Sequence, residues 1–198
     1  MKLLGTALSV IALSLAAGMA SATVITFEDS AQTSGATPST QGDVTVSGYY
    51  FDSSSDHTHY ANNYGGGDSG STFFGADNYS GSNTVTMTEE NGSIFSLFSL
   101  DLGSWYEDSS NLSITGYLSN GDSITTDIAL GLFSTYELVW TNLTSIVFES
   151  TAGSGDQYWG VDNINVTTSV PAPGSLALFA IGLLGLAATR RNIISDKA

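Results

Sequence analysis

The residues most able to do chemistry in this chain are acids and aromatic rings. A strand ending at Ile25-Thr26-Phe27-Glu28 and another running from Trp159 to Val166 each carry a carboxylate beside apolar positions. On a regular strand Asp162 shares its parity with Ile164 and Val166, so it points inward. A buried carboxylate without a partner costs several kcal/mol. Of the 19 acids all but Asp196 lie between Thr23 and Thr189, and none of the 4 bases does, since Lys2, Arg190, Arg191 and Lys197 sit at the two ends. Inside that stretch only a metal, a backbone N–H, a hydroxyl or water can compensate such a group. Oxygen ligands from Glu28, Asp162 and nearby carbonyls suit a structural Ca²⁺, which takes six to eight of them. The alternative is that Asp162 caps a turn or bulge and accepts backbone N–H bonds.

Trp105 and Tyr106, Tyr158 and Trp159, and the triplet Tyr49, Tyr50 and Phe51 are runs of adjacent rings. In neighbouring strand positions one ring faces out while the next packs. Exposed rings beside Asn, Asp and Ser are platforms on which sugars stack, so Trp105, Tyr106, Tyr158 and Trp159 are the carbohydrate-binding candidates. Core and rim packing is the alternative for them. His57 and His59 stand two apart and share a strand face, a spacing open to a transition metal, although two histidines in a polar loop are more often solvated. Gly65 to Gly70, around Asp68, is shaped like a calcium-binding β-roll turn, but it occurs once where such turns work as repeats. No nucleophile elbow, phosphate loop or HExxH run is present, so nothing here points to an enzyme.

The elements that must position these groups are strands. Gly, Ser, Thr and Asn punctuate short runs of Val, Ile, Phe and Tyr, and helical periodicity is hard to find, Leu130 to Leu138 being the one stretch open to doubt. Leu112, Ile114 and Leu118 alternate against Ile124, Ile128 and Leu130 across Asn120-Gly121, which predicts a hairpin with a type I′ turn. Asn91-Gly92 joins a strand over 84–89 to one over 93–101. In the latter the apolar parity slips from Phe95 and Leu97 to Phe98, Leu100 and Leu102, and a bulge near Leu97 would restore one buried face. Further strands are expected at 23–28, 43–52, 144–149 and 160–167, with an irregular excursion over 53–82. The sum is an all-β domain, a β-sandwich of jelly-roll type, over residues 23–169. At about 150 residues it buries enough surface to stand without disulfides, and the chain has no cysteine. A net charge of −15 excludes nucleic acid as a partner.

Both ends read as targeting devices. Residues 1–22 place Lys2 before an apolar run from Leu3 to Leu15 and close on Ala20-Ser21-Ala22, the pattern of a secretory signal peptide cleaved after Ala22. Residues 170–198 run Val170-Pro171-Ala172-Pro173, then an apolar stretch from Leu176 to Ala188, then Arg190-Arg191. As a helix that stretch rises only about 20 Å, short for a membrane core, and the arginines would hold its far end in the cytoplasm.

Val-Pro-x-Pro, a short apolar helix and an arginine cluster in that order resemble the PEP-CTERM sorting signal. The resemblance implies export in a polysaccharide-producing bacterium, a sorting enzyme of exosortase type as partner, transient anchoring in the inner membrane through the C-terminal helix, and processing near Pro171 to Pro173. Separately, the Phe27-Glu28 and Asp162 strands resemble the first and last strands of calcium-bearing carbohydrate-binding sandwiches. The expected function is therefore an exported, non-catalytic surface or matrix protein associated with extracellular polysaccharide. A calcium-stabilised carbohydrate-binding module is the alternative, and a secreted polysaccharide hydrolase a third.

Overall fold

The computed structural model describes residues 20–28, 39–54, 58–61, 70–77, 84–105, 111–150, 158–169 and 182. Its compact body spans Ser21–Thr168. The described residues form twelve strands: β1 (Ala20–Ile25), β2 (Ser39–Gln41), β3 (Val44–Val46), β4 (Tyr49–Ser53), β5 (Thr58–Ala61), β6 (Phe73–Asp77), β7 (Thr84–Glu89), β8 (Phe95–Gly103), β9 (Asn111–Leu118), β10 (Ser123–Ala129), β11 (Ser134–Ser150) and β12 (Tyr158–Ser169).

They are hydrogen-bonded in the order β2-β5-β6-β12-β8-β11-β7-β4-β3, with β10 and β9 joining at β11 and β1 at β12. The antiparallel sheet curls on itself because β11 belongs to both halves. Its first part, Ser134 to Leu143, pairs with β8, whereas Leu143 to Ser150 pairs with β9 and Ile146 to Glu149 with β7. The result is a β-sandwich of jelly-roll type around one core, in which Phe27, Phe51, Met87, Leu97, Leu100, Phe148, Trp159 and Val166 are wholly buried.

The parity slip in β8 is resolved by bulges on several strands. Leu97 and Ser99 of β8 face Val166 and Asn165 of β12, so two steps on one strand match one on the other. Phe95, Leu97, Leu100 and Leu102 consequently all reach the same core. The neighbours absorb the difference: Asp162 to Asn165 takes three steps against two between Asp101 and Ser99, and β11 does the same at Glu137 to Trp140 and at Trp140 to Leu143. Each of these three places holds a non-glycine residue with positive φ, namely Asn163 (47°), Val139 (51°) and Asn142 (60°). Asparagine tolerates that region; a β-branched valine does not.

Several expectations need correction. Residues 43–52 are two strands, since Ser47 (φ 53°) and Gly48 (φ 80°) turn the chain between Val46 and Tyr49. This is where the two-residue turn with paired positive φ occurs. At Asn120-Gly121 the hairpin forms, with Ser123 opposite Tyr117, but only Gly121 has positive φ (92°). The Gly121 N–H bonds the Leu118 carbonyl and the Leu118 N–H bonds the Asp122 carbonyl, the pattern of a type I turn closed by a glycine bulge. Across Asn91-Gly92 the strands β7 and β8 are not neighbours, because β11 lies between them. The excursion over 53–82 contributes β5 and β6, and the expected strand at 144–149 is the end of the 17-residue β11, which also takes in most of Leu130 to Leu138. β1 begins within the expected leader; cleavage after Ala22 leaves it Thr23, Val24 and the fully buried Ile25. No helix among the described residues is long and apolar enough to cross a membrane, and the C-terminal helix expected between Leu176 and Ala188 lies outside them, apart from Gly182.

Candidate functional site

The outer face of β5, β6, β12 and β8, turned away from the core, carries two features side by side. The first is a glycine floor. Gly75, Gly160 and Gly103 stand opposite one another on three successive strands, with His59 beside Gly75 on a fourth. A row without Cβ atoms is flat enough for rings to lie on the backbone. A Cβ at Gly103 would come within 2.8 Å of the Phe133 Cα, and one at Gly160 within 2.7 Å of the Phe73 ring. Phe73, Trp105 and Ala61 form a second, small core there, with Phe133 and Tyr158 packed on it half-buried. Phe73 and Phe133 have centroids 4.9 Å apart, and the Tyr158 and His59 rings meet Trp105 edge-on at 5.2 and 5.4 Å. The Ser104 N–H bonds the Gly131 carbonyl at 2.8 Å and so ties together the loops that bring in Trp105 and Phe133.

Beside this cluster runs a polar row. Asp162 of β12 faces Asp101 of β8, which in turn faces Thr135 of β11. Two carboxylates directly across a strand pair repel, and the segment has no cation to offset them. Hydrogen bonds do so instead. The Ser71 hydroxyl donates to Oδ2 of the fully buried Asp162 (2.5 Å), and the Asn163 N–H donates to Oδ1 (2.8 Å). The Asn163 side-chain amide reaches across to Asp101 Oδ2 (2.8 Å), whose other oxygen accepts from the Thr135 hydroxyl (2.6 Å). The left-handed backbone at Asn163 is what swings both of its donors toward the two acids.

Asp162 therefore lies on the outer face with Asp101 and not inward with Ile164 and Val166 as strand parity predicts, because the Asn163 bulge falls between them; it caps that bulge beneath Ser71, while Glu28 stands exposed just past β1. Among the described residues no group of three or more His, Cys, Asp or Glu gathers as a metal site.

Of the four ring candidates, Trp159 is not on the surface: it is wholly buried and stacks on Phe148 at 5.5 Å and 20°. Among the described residues its indole N–H and the Ser150 hydroxyl find no hydrogen-bond partner. Tyr158 shares the parity of Gly160 and lies on the outer face, where it is half-buried, and Trp105 is 3% exposed beneath it. Tyr106, His57 and residues 62–69 lie outside the described residues, as do Val170, Pro171, Pro173, Arg190 and Arg191. In the triplet, Tyr49 and Phe51 turn inward, and Tyr50 faces out to donate its hydroxyl to Asp43 (2.6 Å). That bond pushes the Tyr50 phenol up to about 12 and, with the Ser53 N–H, holds Asp43 below the usual carboxylate range. Sequence reading missed Asp101, Ser71, Asn163, Thr135, Phe73 and Phe133. The outward parity of Asp101 between Leu100 and Leu102 was available as a signal, but its partners depend on register.

No curated protein matches this chain. It is similar to a solved family 29 carbohydrate-binding module at 17% identity, with 78% of this chain and 92% of that chain covered and a TM-score of 0.45. It is also similar to an exo-β-agarase at 13% identity, 78% and 26% coverage and a TM-score of 0.48. The enzymatically active domain of tailspike protein 4 of bacteriophage CBA120 follows at 19% identity, 62% and 19% coverage and a TM-score of 0.40. Residues 169–191 match the profile of the PEP-CTERM protein-sorting motif, so the chain carries at its C-terminal end the signal of an exported protein whose processing falls to an exosortase.

Proposed function

We propose that this is a non-catalytic protein of the cell surface or extracellular matrix, delivered by its two terminal signals and associated with extracellular polysaccharide. The observation that carries the reading is the sorting motif at 169–191 attached to a β-sandwich whose sequence from Thr23 to Thr189 contains no base. Such a body is repelled by anionic lipid and nucleic acid and suited to life outside the cell. The C-terminal apolar stretch holds the chain at the inner membrane until the exosortase acts near Pro171 to Pro173. Mass spectrometry of the secreted form tests this: the mature protein begins at Thr23 and lacks Leu176 to Arg191. Finding that tail intact on protein in the medium overturns the sorting assignment.

A second reading, carbohydrate binding, is supported by one arrangement. The half-buried Tyr158 and Phe133 rings adjoin Asp101, Asn163 and Thr135, which brings together the apolar and hydrogen-bonding surface that a sugar needs. Binding to a glycan array that is lost in Tyr158→Ala supports it; no binding to any glycan returns the rings to rim packing. Ca²⁺ belongs to this reading as a structural ion on Asp162 and Glu28, tying β12 to the end of β1.

A further inference from the structure

We propose that two copies of this chain associate edge to edge through β10, extending one half of the sandwich into a continuous sheet. This goes beyond the sorting and glycan readings and does not depend on either. Among the described residues β10 pairs only with β9, and Ser123, Ile124, Thr125, Asp127 and Ala129 are exposed. The strand has seven residues, against three in each of the edges β2 and β3. Natural edges of that length are usually blunted by lysine, proline or a bulge. β10 has no lysine or proline, and its register against β9 runs without a shift from Ser123 to Ala129.

Its sequence is nearly self-complementary about Thr126. Leu118 and Asp122 share a backbone bond, so by antiparallel alternation the even residues of β10 bond to β9 and the odd ones present their N–H and C=O groups at the free edge. Two such edges meeting antiparallel with a two-fold axis at Thr126 place Thr125 opposite the partner's Asp127 and Ser123 opposite the partner's Ala129. All four backbone groups at each of these positions find partners. On the inward face Ile124 then lies opposite the partner's Ile128, and Thr126 opposite its own copy. Ile124 is 39% exposed in the single chain, with its side chain on the core side beside Gly116. On the outward face each carboxylate meets a hydroxyl and never another carboxylate. The register about Thr126 sets both isoleucines of each copy against isoleucine and keeps the Asp127 pair apart, in a molecule whose net charge of −15 otherwise opposes self-association.

The native chain has no cysteine, so Thr126→Cys in the full chain gives a single thiol. Across a non-hydrogen-bonded antiparallel pair the Cα atoms stand about 4.5 Å apart, within disulfide reach. Oxidation is expected to give a disulfide-linked dimer from Thr126→Cys and none from Thr45→Cys on β3 or from Ser134→Cys. In sedimentation the wild-type protein is expected to associate with rising concentration, more readily in moderate than in low NaCl. Thr125→Lys, which faces the partner's Asp127 twice over, tightens association on the order of tenfold, and Thr125→Asp weakens it by a similar factor. The same charge changes at Thr45 have much smaller effects. A wild-type protein that stays monomeric at high concentration in moderate salt overturns the proposal, as does cross-linking that is equal at all three cysteine positions. Equal charge effects at Thr125 and Thr45 overturn the two-fold register.

Discussion

The two faces of β12 and β8 are built by opposite rules. On the inner face Leu97, Leu100, Leu102, Trp159, Val161 and Val166 fill the space with side-chain volume. On the outer face Gly75, Gly160 and Gly103 remove volume so that rings arriving from other segments can lie on the backbone, and Asp162 and Asp101 replace apolar contact with hydrogen bonds. The inner face is thus secured by what its own residues bury. The outer face depends on what they leave out, and its stability is borrowed from loops.

The largest effect expected from breaking this contrast is on the inner side. Trp159→Ala removes a wholly buried ring stacked on Phe148 and costs about 4 kcal/mol in chemical unfolding. On the outer side the damaging change is an addition: Gly103→Ala forces the Phe133 backbone away and costs about 2 to 3 kcal/mol. Fluorescence separates the two, since Gly103→Ala disturbs the Trp105 environment first. A Gly103→Ala protein with wild-type stability would show that the floor is not needed.

Asp162→Asn comes next, at about 1 to 2 kcal/mol. The amide cannot accept from both the Ser71 hydroxyl and the Asn163 N–H without turning a donor toward one of them. The same position addresses calcium. An ion at a hundred times its dissociation constant adds about 2.7 kcal/mol to the native state, so chelation should lower the wild-type melting temperature beyond any ionic-strength effect. Asp162→Ala should then lose the calcium response. A wild type indifferent to chelator leaves Asp162 as a cap of the bulge alone.

A smaller and opposite change is expected at the third bulge. Val139 is 61% exposed and sits at φ 51°, so Val139→Asn relieves its strain and stabilises by about 1 kcal/mol. Asn142 and Asn163 already hold the residue type that suits such a backbone. An unchanged unfolding midpoint would mean that the bulge relaxes around valine.

The weakest contrast is on the outer face of the other half of the sandwich, where Tyr50 and Asp43 form an exposed pair. With the phenol raised to about 12, its contribution is present below pH 10 and fades as pH rises toward 12; with the carboxyl lowered, the contribution of Asp43 is present above about pH 4 and fades in more acid solution. Ultraviolet titration should show one phenol ionising near 12 that disappears in Tyr50→Phe.

The C-terminal sorting motif, the all-β class and the β9–β10 hairpin were all legible in the sequence, because each depends on local order: a Pro-x-Pro break before a run of apolar residues, a period of two, an Asn-Gly pair. The parity slip of β8 was legible for the same reason. The partner of each strand was not. That Asp162 meets Asp101, that three glycines from distant segments form one floor, and that Trp159 is core while Tyr158 is rim all follow from register between strands far apart in the chain. Register is fixed by the total burial of both faces at once, and bulges at Val139, Asn142 and Asn163 shift it by one residue each, which moves a side chain from one face to the other. A local pattern sets the alternation within a strand, and only the packed sandwich, through its bulges and register, decides which face Asp162 takes and what it meets there.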